Sequence, residues 1–476
     1  MPSAFRQPGL TTYIISASHR WCGWKANWII ANTTMTMSMG GQYEYEYEYD
    51  DDDDGEFVID ESDIVHELSM DDEDLPNADS DSDSDQDIVD VDVDDAIHTF
   101  TGHTDELYSV ACSPTHATLV ATGGADDRGF LWEIGQQQGY QPVKLEGHQN
   151  SVTGLAFSYD GKFLASGCLE GIVHVWDAST SLGAIVKVWD SSAYMEEHTQ
   201  DHMEDTQDHV EDTQDLEEDT DTDTEKPKRG IEWLKWHPRQ HKLLAAFEDS
   251  NVWMWNKDNE ISPLTYLTGH GGPVTCGDFT PDGGKICTGS ADKTLRIWNS
   301  NGEIIKVVKG HGYHTEGLTC LAISSNSALA LTGSEDGSAC FVNIDKGRVI
   351  SSMASRPYSI ECVGFSPSDA SFAAIGGMDK SLIIWDIRHS LSQATCDHKA
   401  GVTCLAWVGS RCVATGCEDG TVKLWDIRSG ESVETFRGHS GGIQSLSVSA
   451  NGDYIVSASL DHTARVFDVR KFSEQN

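Results

Sequence analysis

Basic residues are scarce in this sequence, and their scarcity argues against one large class of function. The 476 residues include 32 Lys and Arg against 78 Asp and Glu, so the formal net charge at pH 7 is -46. Nucleic-acid backbones bind cationic surfaces, so we expect no direct contact with DNA or RNA. A chain with this charge is expected to attract basic proteins instead.

The sequence also lacks a continuous apolar run of 18 or more residues, and it lacks any Cys-x-x-Cys pair. The first absence argues against a membrane-spanning helix and against a secretory signal. The second argues against a zinc ribbon or a redox site, so the 12 Cys are predicted to be reduced, buried thiols. We therefore expect a cytoplasmic protein, one that could also enter the nucleus, with no metal or other cofactor.

More than half of the acidic residues lie in two short segments that contain few apolar side chains. Residues 44–95 hold 26 of them and residues 191–228 hold 15, and we predict a disordered acidic tail and a disordered acidic insertion. Ser80, Ser82 and Ser84, in the stretch DSDSDSD, match acid-directed kinase sites. Residues 1–43 contain no Asp or Glu, and both a transit peptide and an extension upstream of a start at Met35, Met37 or Met39 fit them.

The remainder of the chain contains a repeat of roughly 40 to 45 residues. An apolar run that ends at a Trp-like position recurs at Trp132, Trp176, Trp255, Trp298, Val342, Trp385, Trp425 and Phe467. Most units read as a Gly-His followed by three short alternating strands, as in GHGGPVTCGDFTPDGGKICTGSADKTLRIWN. The period predicts eight similar structural units.

One interval between repeats is too long, and it contains a second Trp-Asp dipeptide. Trp189 follows Trp176 by only 13 residues, too few for three strands and their turns. The alternation in AIVKVW instead predicts one further strand that ends the second unit, and the acidic insertion after it accounts for the surplus length.

On these residues the chain resembles the WD-repeat family, whose repeats form the four-stranded blades of a β-propeller. The resemblance implies an all-β, eight-bladed propeller over residues 96–470, interrupted by the acidic insertion and followed by a C-terminal tail at 471–476. The last unit stops after its third strand. The stretch AIHTF at 96–100 is therefore predicted to supply the fourth strand of blade eight and so close the ring.

Recurring Ser or Thr, His and acidic residues raise the question of a hydrolase active site. An active site is needed once, whereas these residues recur in blade after blade, so we predict structural hydrogen-bonded tetrads and no enzyme activity. The resemblance implies that each tetrad joins a His, a hydroxyl, an acid and a Trp. The predicted sets are His103, Thr122, Asp126 and Trp132; His148, Ser166, Glu170 and Trp176; His270, Thr288, Asp292 and Trp298; and His398, Thr415, Asp419 and Trp425.

Blades three and six depart from this pattern. They lack the Gly-His, and Ala245 and Ile375 stand where the other blades have a hydroxyl. They are expected to be the least rigid blades.

Three positions per blade should lie on one face of the ring if the family topology holds. Among these 24 positions six are Glu and none is Lys or Arg, which predicts an acidic face that attracts a basic partner. A merely solvated polar face is the alternative. The predicted partner-binding residues are Glu106, Tyr108, Glu232, Glu248, Glu335, Glu361 and Glu418.

The acidic tail, the opening FTGH at 100–103 and GIEWLKWHPR at 230–239 together resemble one WD-repeat subfamily, which includes a fungal ribosome-assembly chaperone. This resemblance implies a monomeric propeller that shields a basic large-subunit ribosomal protein. Two alternatives remain: a signalling or cell-migration scaffold, and a substrate receptor of a cullin ubiquitin ligase. The second is suggested by WDIR boxes at 385–388 and 425–428.

Overall fold

The computed structural model describes residues 93–135, 141–179, 184–190, 230–258 and 264–473. The chain divides into two units, Met1–Val89 and Asp90–Asn476, and every described residue belongs to the second unit. The extension at 1–43, nearly all of the predicted tail, the predicted insertion at 191–228 and the three candidate phosphorylation sites lie outside the described residues. The described residues form eight antiparallel sheets of four strands each, one sheet per blade.

In seven of the eight blades the first strand begins with an aliphatic residue that is fully buried or nearly so, such as Leu107 or Ile360. In blade four the corresponding buried residue, Val274, lies two residues before the strand. Further along, these strands carry half-buried side chains. The innermost strands are β2 (Leu107–Cys112), β6 (Val152–Phe157), β10 (Ile231–Trp236), β14 (Cys276–Phe279), β18 (Leu318–Ile323), β22 (Ile360–Phe365), β26 (Val402–Val408) and β30 (Ile443–Val448).

The second strands are buried along most of their length, because each blade packs between two neighbours and both faces of these strands are covered. This explains why they read as continuous small and apolar residues instead of alternating. They are β3 (Leu119–Gly124), β7 (Phe163–Cys168), β11 (Lys242–Phe247), β15 (Lys285–Gly289), β19 (Leu329–Ser334), β23 (Phe372–Gly377), β27 (Cys412–Cys417) and β31 (Tyr454–Ser459).

The third strands carry the Trp-like position, and every residue at that position is buried. They are β4 (Gly129–Glu133), β8 (Ile172–Asp177), β12 (Val252–Asn256), β16 (Leu295–Asn299), β20 (Ala339–Asn343), β24 (Ser381–Asp386), β28 (Val422–Asp426) and β32 (Ala464–Asp468).

The fourth strands form the outer edges of the blades and expose apolar side chains such as Ile185 and Ile304. They are β5 (Val143–Leu145), β9 (Ile185–Asp190), β13 (Leu264–Leu267), β17 (Ile304–Val308), β21 (Arg348–Met353), β25 (Leu391–Asp397), β29 (Ser432–Phe436) and, for blade eight, β1 (His98–Phe100).

The ring closes as predicted. Strand β1 pairs with β32, with His98 opposite Val466 and Phe100 opposite Ala464. The innermost strand of each blade contacts those of its two neighbours, and β2 of blade one contacts β30 of blade eight.

The ordered contacts of the propeller extend slightly beyond the predicted boundaries 96–470 at both ends. Asp94 pairs with Arg465, and the Arg437 amide donates to Asp95 Oδ2 at 2.8 Å, so these two residues of the predicted tail are fixed to the ring. A short helix, α1 (Arg470–Ser473), continues into the predicted C-terminal tail. No helix in the described ranges is long and apolar enough to cross a bilayer.

The second Trp-Asp dipeptide belongs to the outer strand of blade two, as predicted. Strand β9 pairs with β8, and Trp189 lies opposite Val173. The Trp189 indole is almost fully buried and stacks on Trp255 of blade three, with ring centroids 4.9 Å apart. Phe247 and Trp253 complete an aromatic cluster at this junction. This cluster fills the space where blade three lacks a hydroxyl, because Ala245 on β11 is small and fully buried.

Candidate functional site

One backbone hydrogen bond recurs in all eight blades and defines a common end of the propeller. In each blade an amide in the turn between the second and third strands donates to a carbonyl just before the innermost strand. The pairs are Ala125 to Glu106, Leu169 to Ser151, Glu248 to Gly230, Ala291 to Pro273, Glu335 to Gly317, Met378 to Ser359, Glu418 to Gly401 and Leu460 to Gly442, at 2.8 to 3.1 Å. The sequence positions predicted to share a face are therefore structurally equivalent.

The remaining predicted position in each blade directly follows the buried aliphatic residue at the start of the innermost strand, or just before that strand in blade four. Four blades have a threonine with a structural role there. Each hydroxyl donates to the carbonyl of the first innermost-strand residue in the next blade. The bonds run from Thr153 to Ile231 at 2.6 Å, from Thr275 to Leu318 at 2.6 Å, from Thr319 to Ile360, and from Thr403 to Ile443 at 2.6 Å. In these four blades the position joins one blade to the next, and none of the four threonines is among the predicted partner-binding residues.

Glu232 occupies the same position in blade three, where a carboxylate cannot donate that bond. The next residue replaces it, because the Trp233 indole N–H donates to the Val274 carbonyl at 2.9 Å. Gly277 on β14 makes this possible, since a Cβ there would lie 2.4 Å from the Trp233 ring. Trp233 thus makes the contact between blades three and four, and Glu232 takes no part in it. The sequence analysis did not predict this replacement.

Glu232 and Glu248 lie close together in blade three. Burial, and secondarily the charge of Glu248, raises the pKa of Glu232 to about 7. Two carboxylates held together at partial burial are costly when both are ionised. A cationic group placed between them would remove that cost.

The other predicted partner-binding residues lie at the same end of the propeller. In blade one the Tyr108 hydroxyl donates to Glu106 Oε2 at 3.4 Å, and burial followed by the Glu106 charge raises the pKa of Tyr108 to about 12. In blade six the Ser359 hydroxyl donates to Glu361 Oε1 at 2.5 Å. Glu335 is exposed and Glu418 is half-buried. The name acidic face is used below for Glu106, Glu232, Glu248, Glu335, Glu361 and Glu418.

The predicted tetrad is complete in blades one and four. In blade four Trp298 Nε1 donates to Thr288 Oγ1 at 2.8 Å, the hydroxyl lies 2.8 Å from His270 Nε2, and His270 Nδ1 donates to Asp292 Oδ2 at 2.9 Å. Burial alone would raise the pKa of Asp292, but hydrogen bonds from His270, Thr294 and the Gly271 amide together lower it well below its ordinary value.

Blade one has the same arrangement. Trp132 Nε1 donates to Thr122 Oγ1 at 3.3 Å, Thr122 Oγ1 lies 3.0 Å from His103 Nε2, and His103 Nδ1 donates to Asp126 Oδ1 at 2.9 Å. In blades one and four the hydroxyl is fully buried beneath the indole and imidazole rings, an arrangement that stabilises a blade.

In blades two and seven the acid does not join the tetrad, contrary to the sequence prediction. His148 and Trp176 both bond Ser166, but His148 Nδ1 is buried without a hydrogen-bond partner and its ring packs 4.3 Å from that of His174. Glu170 therefore does not play the role of the aspartates in blades one and four. Burial, and secondarily His174, lowers the pKa of His148 to about 3.

In blade seven His398 Nε2 and Trp425 Nε1 both meet Thr415 Oγ1, at 2.9 and 3.1 Å. His398 Nδ1 instead lies 3.0 Å from the Cys396 carbonyl. Asp419 accepts hydrogen bonds from the amide and hydroxyl of Thr421.

Three related sets in blades five, six and eight were not among the four predicted tetrads. In blade eight His439 Nε2 lies 2.7 Å from Ser457 Oγ and His439 Nδ1 donates to Asp461 at 2.8 Å. In blade five, where Val342 replaces Trp, the Tyr313 hydroxyl lies 3.1 Å from Thr332 Oγ1 and takes the place of the indole. The signal was the sequence GHGYH, in which His314 bonds the same Thr332 at 2.8 Å.

In blade six Arg356 stands where other blades have the histidine, four residues before the first buried residue of the innermost strand. Its guanidinium pairs with Asp379 and donates to Ser381 Oγ. Blade six lacks the Gly-His, as the sequence indicates, and this arginine supplies the link to the turn acid in its place.

The two WDIR boxes place their arginines at the opposite end of the blades from the acidic face. The Arg388 side chain is largely exposed and lies 3.4 Å from Asp369 Oδ1. Arg428 is exposed, and its amide donates to Asp426 Oδ1 at 2.8 Å. Within the described ranges no three His, Cys, Asp or Glu side chains are grouped so that they could hold a metal ion.

The family model described as WD domain, G-beta repeat matches residues 95–133, 139–177, 261–299, 302–343, 349–386, 390–426 and 430–468. Strands β10 to β12 of blade three, which lacks the hydroxyl, lie outside these matches. The angio-associated migratory cell protein of Homo sapiens is 32% identical over 395 residues, covering 79% of this chain and 81% of that protein. An uncharacterised WD repeat-containing protein of Schizosaccharomyces pombe is 24% identical over 387 residues, covering 79% of this chain and 87% of that protein.

Solved structures share the fold. Chaetomium thermophilum Sqt1 bound to the N-terminus of the ribosomal protein L10 matches with a TM-score of 0.65 and 22% identity, over 79% of this chain and 100% of that one. Saccharomyces cerevisiae Sqt1 matches with a TM-score of 0.64 and 21% identity, over 79% of this chain and 99% of that one. The repeats, the closed ring of eight blades and the identity to the human protein together show that this chain belongs to the WD-repeat family and, within it, to the family of the angio-associated migratory cell protein.

Proposed function

We propose that this propeller is a non-catalytic chaperone that shields a basic segment of a newly made large-subunit ribosomal protein until the segment is incorporated into a ribosome precursor. The observation that carries the proposal is the acidic face, to which five of the eight blades contribute glutamates at structurally equivalent positions. Charges that surround one region of surface add their fields there and steer an oppositely charged segment towards it.

Blade three supports this proposal in particular. In this blade Trp233, and not a threonine hydroxyl, makes the hydrogen bond to the next blade. Glu232 therefore lies next to Glu248. The free protein carries the cost of this pair, and a Lys or Arg side chain from a partner would relieve it.

The relatives support the choice of partner. The solved Sqt1 chain, which has the same fold, is bound to the N-terminus of the ribosomal protein L10. The basic N-terminal segment of a large-subunit ribosomal protein has the charge that the acidic face requires. We propose that the chain acts as a monomer in the cytoplasm, with the nucleus as a second location, and that it contacts no nucleic acid or membrane.

Charge reversal of Glu248, Glu335 and Glu418 to Lys tests this proposal. Binding of a Lys/Arg-rich ribosomal-protein peptide, measured by titration calorimetry at several salt concentrations, should weaken by at least about tenfold and lose much of its salt dependence. Exposed charges are screened beyond about 8 Å at physiological salt, so the difference between variant and wild type should be greatest at low salt.

A matched control places the same charge change at the opposite end of the blades. Glu303, Asp345 and Glu431 are exposed and lie in the turns between third and fourth strands. Their reversal to Lys should leave the affinity close to that of the wild type. Equal weakening by both triple variants would show that net charge, and not the acidic face, controls binding, and the proposal would then be abandoned.

Affinity purification with mass spectrometry tests the alternatives. Recovery of one basic ribosomal protein supports the chaperone. Recovery of ligase subunits, lost on Arg388→Ala and Arg428→Ala substitution, would favour the cullin receptor. Recovery of signalling proteins would favour the scaffold.

A further inference from the structure

Blade two contains a pair of buried histidines whose rings lie side by side. His148 precedes the innermost strand, His174 lies on β8, and their ring centroids are 4.3 Å apart. His148 is 8% exposed and His174 is 5% exposed. Nδ1 of each ring is buried and has no hydrogen-bond partner among the described residues. A proton added to either Nδ1 would therefore meet no acceptor.

The hydrogen bonds of His148 show why protonation costs free energy. Ser166 Oγ lies 2.6 Å from His148 Nε2 and also accepts the Trp176 indole N–H at 2.8 Å. A neutral imidazole carries one N–H, which this hydroxyl can accept, whereas a protonated imidazole carries two. Protonation of either ring of the pair thus leaves a buried N–H without an acceptor. It favours any conformation in which the rings reach water.

Other blades hold the histidine proton with an aspartate. In blades one, four and eight the turn acid accepts the Nδ1–H of the histidine at 2.8 to 2.9 Å. In blade two Glu170 stands at that position and does not bond His148. Blade one also has Phe130 where blade two has His174, and the Phe130 ring packs 4.8 Å from that of His103. Blade two therefore lacks the acceptor and has a second imidazole in its place.

Charged groups on the neighbouring elements do not supply the missing acceptor, since none of them accepts a hydrogen bond from either Nδ1. They are Asp127 in the turn of blade one, Lys144 on β5, Glu146 on the loop before His148, Glu170 in the turn of blade two, and Lys187 and Asp190 on β9. Lys144 and Glu146 are exposed and pair with each other at 3.0 Å. Burial, and secondarily the charge of His174, lowers the pKa of His148 to about 3, and burial lowers the pKa of His174.

We infer that His148 and His174 form an acid-sensitive switch, in which protonation detaches the loop that carries His148 from blade two. The neutral pair stabilises the blade above the ordinary histidine pKa of about 6.5. This contribution is lost as pH falls below that value, because the opened blade binds the protons more tightly than the closed one. The loop lies at the acidic-face end of the propeller, where the Leu169 amide donates to the Ser151 carbonyl. Acid would loosen blade two whether or not the propeller binds a ribosomal protein.

A double variant, Glu170→Asp with His174→Phe, gives blade two the residues of blade one at both positions. The aspartate would accept the Nδ1–H of His148, and the phenylalanine would pack on its ring without adding a charge. Circular dichroism and thermal unfolding at pH 7.5 would check that the full-length variant folds. Glu146→Asp is the matched control, because it shortens an exposed carboxylate on the same loop and leaves both imidazoles unchanged.

Hydrogen exchange followed by mass spectrometry measures opening at pH 7.5 and pH 5.5, with labelling times scaled for the intrinsic exchange rate. Opening that exposes one histidine should be favoured about tenfold at the lower pH, because the proton then binds only the open state. In the wild type and in Glu146→Asp, amides of residues 146–151 and of β8 should therefore lose protection by at least about tenfold. In the double variant the loss should be less than about threefold.

Two results would overturn the switch. Equal protection at both pH values in the wild type would show that protonation does not open blade two. Equal losses in the wild type and the double variant would show that other groups of the propeller cause the opening. If the double variant does not fold, His174→Phe alone replaces it. That variant removes one of the two charges, so it should lose less protection at pH 5.5 than the wild type, and an equal loss would again contradict the switch.

Discussion

At the scale of single residues, equivalent positions in the repeat have different tasks in different blades. Threonine directly after the buried aliphatic residue that introduces the innermost strand joins one blade to the next in blades two, four, five and seven, whereas Glu232 leaves that contact to Trp233. The aspartate in the turn of blade four bonds a histidine, whereas Asp419 in blade seven does not. These differences lead to two predictions.

The first compares the turn acids of blades four and seven. Asp292→Ala removes the acceptor of the Gly271 amide and leaves His270 Nδ1 only the longer contact to Thr294 Oγ1 at 3.3 Å, so it should lower the free energy of unfolding by about 2 kcal/mol. Asp419→Ala removes only the local contacts to Thr421 and should cost less than about 1 kcal/mol. Urea unfolding measures both values, and equal losses would contradict the assignment of different roles.

The second concerns Glu232 and pH. Because its pKa is raised from 4.5 to about 7, the folded protein binds this proton more tightly than the unfolded chain does. Its contribution to the free energy of unfolding therefore falls as pH rises through that interval, by an amount on the order of 2 to 3 kcal/mol. Glu232→Gln should remove this decline, so the variant should gain stability over the wild type between pH 5 and pH 8.

Urea unfolding across that range provides the measurement. Glu335→Gln, which removes an exposed carboxylate of the same face, is the control. If the difference in unfolding free energy between wild type and Glu232→Gln stayed constant with pH, the folded protein would not raise the pKa of Glu232. The same proton is released when a cation approaches, so basic partners should bind more tightly as pH rises towards 8.

At the scale of the element, the strand that closes the ring, β1, is only three residues long, but three kinds of contact fix it in place. It pairs with β32, its Phe100 ring stacks on Trp132 of blade one with centroids 4.9 Å apart, and Asp94 just before it pairs with Arg465. Closure thus couples the start of the propeller to its end through both backbone and side chains. An open ring would expose the edge of β32 and one face of Trp132.

The prediction is that two truncations differ sharply. Removal of residues 1–90 keeps all three contacts and should leave the thermal unfolding transition cooperative and close to that of the wild type. Removal of residues 1–100 deletes the strand and the buried Phe100 ring, a loss that for a buried aromatic alone is worth about 3 to 5 kcal/mol. Equal melting temperatures for the two truncations would contradict this account of closure.

At the scale of the whole molecule, the net charge of -46 is divided between the propeller and two acidic segments outside the described residues. The glutamates of the acidic face can make short-range contacts with a partner, whereas charge remote from the binding site acts mainly on the rate of encounter. Deletion of residues 44–90 should therefore slow association and reduce its salt dependence while leaving the dissociation rate unchanged.

Surface plasmon resonance with a Lys/Arg-rich peptide separates these rates. The charge-reversed face should change the dissociation rate as well, because its carboxylates contact the bound segment. Faster dissociation from the protein without residues 44–90 would show that this segment holds the partner directly, and the binding site would then have to be placed there.

The sequence by itself determined the number of blades, the strand order within each blade and the closing strand. These follow from a period of about 43 residues and from the apolar–polar alternation in the strands of each repeat. Because every repeat shows the same pattern, a departure in one unit does not change the prediction. It also determined which positions share a face, because that depends only on register. It did not determine which side chains meet across neighbouring blades.

Those contacts depend on atoms brought together from distant parts of the sequence. Tyr313 completes the network of blade five, Arg356 replaces a histidine, and Asp419 fails to reach His398, although its sequence context matches that of Asp292. The backbone fold can be predicted from the sequence because every repeat has the same local pattern. The hydrogen bonds and ion pairs between and within blades depend on distances between side chains that only the tertiary structure sets.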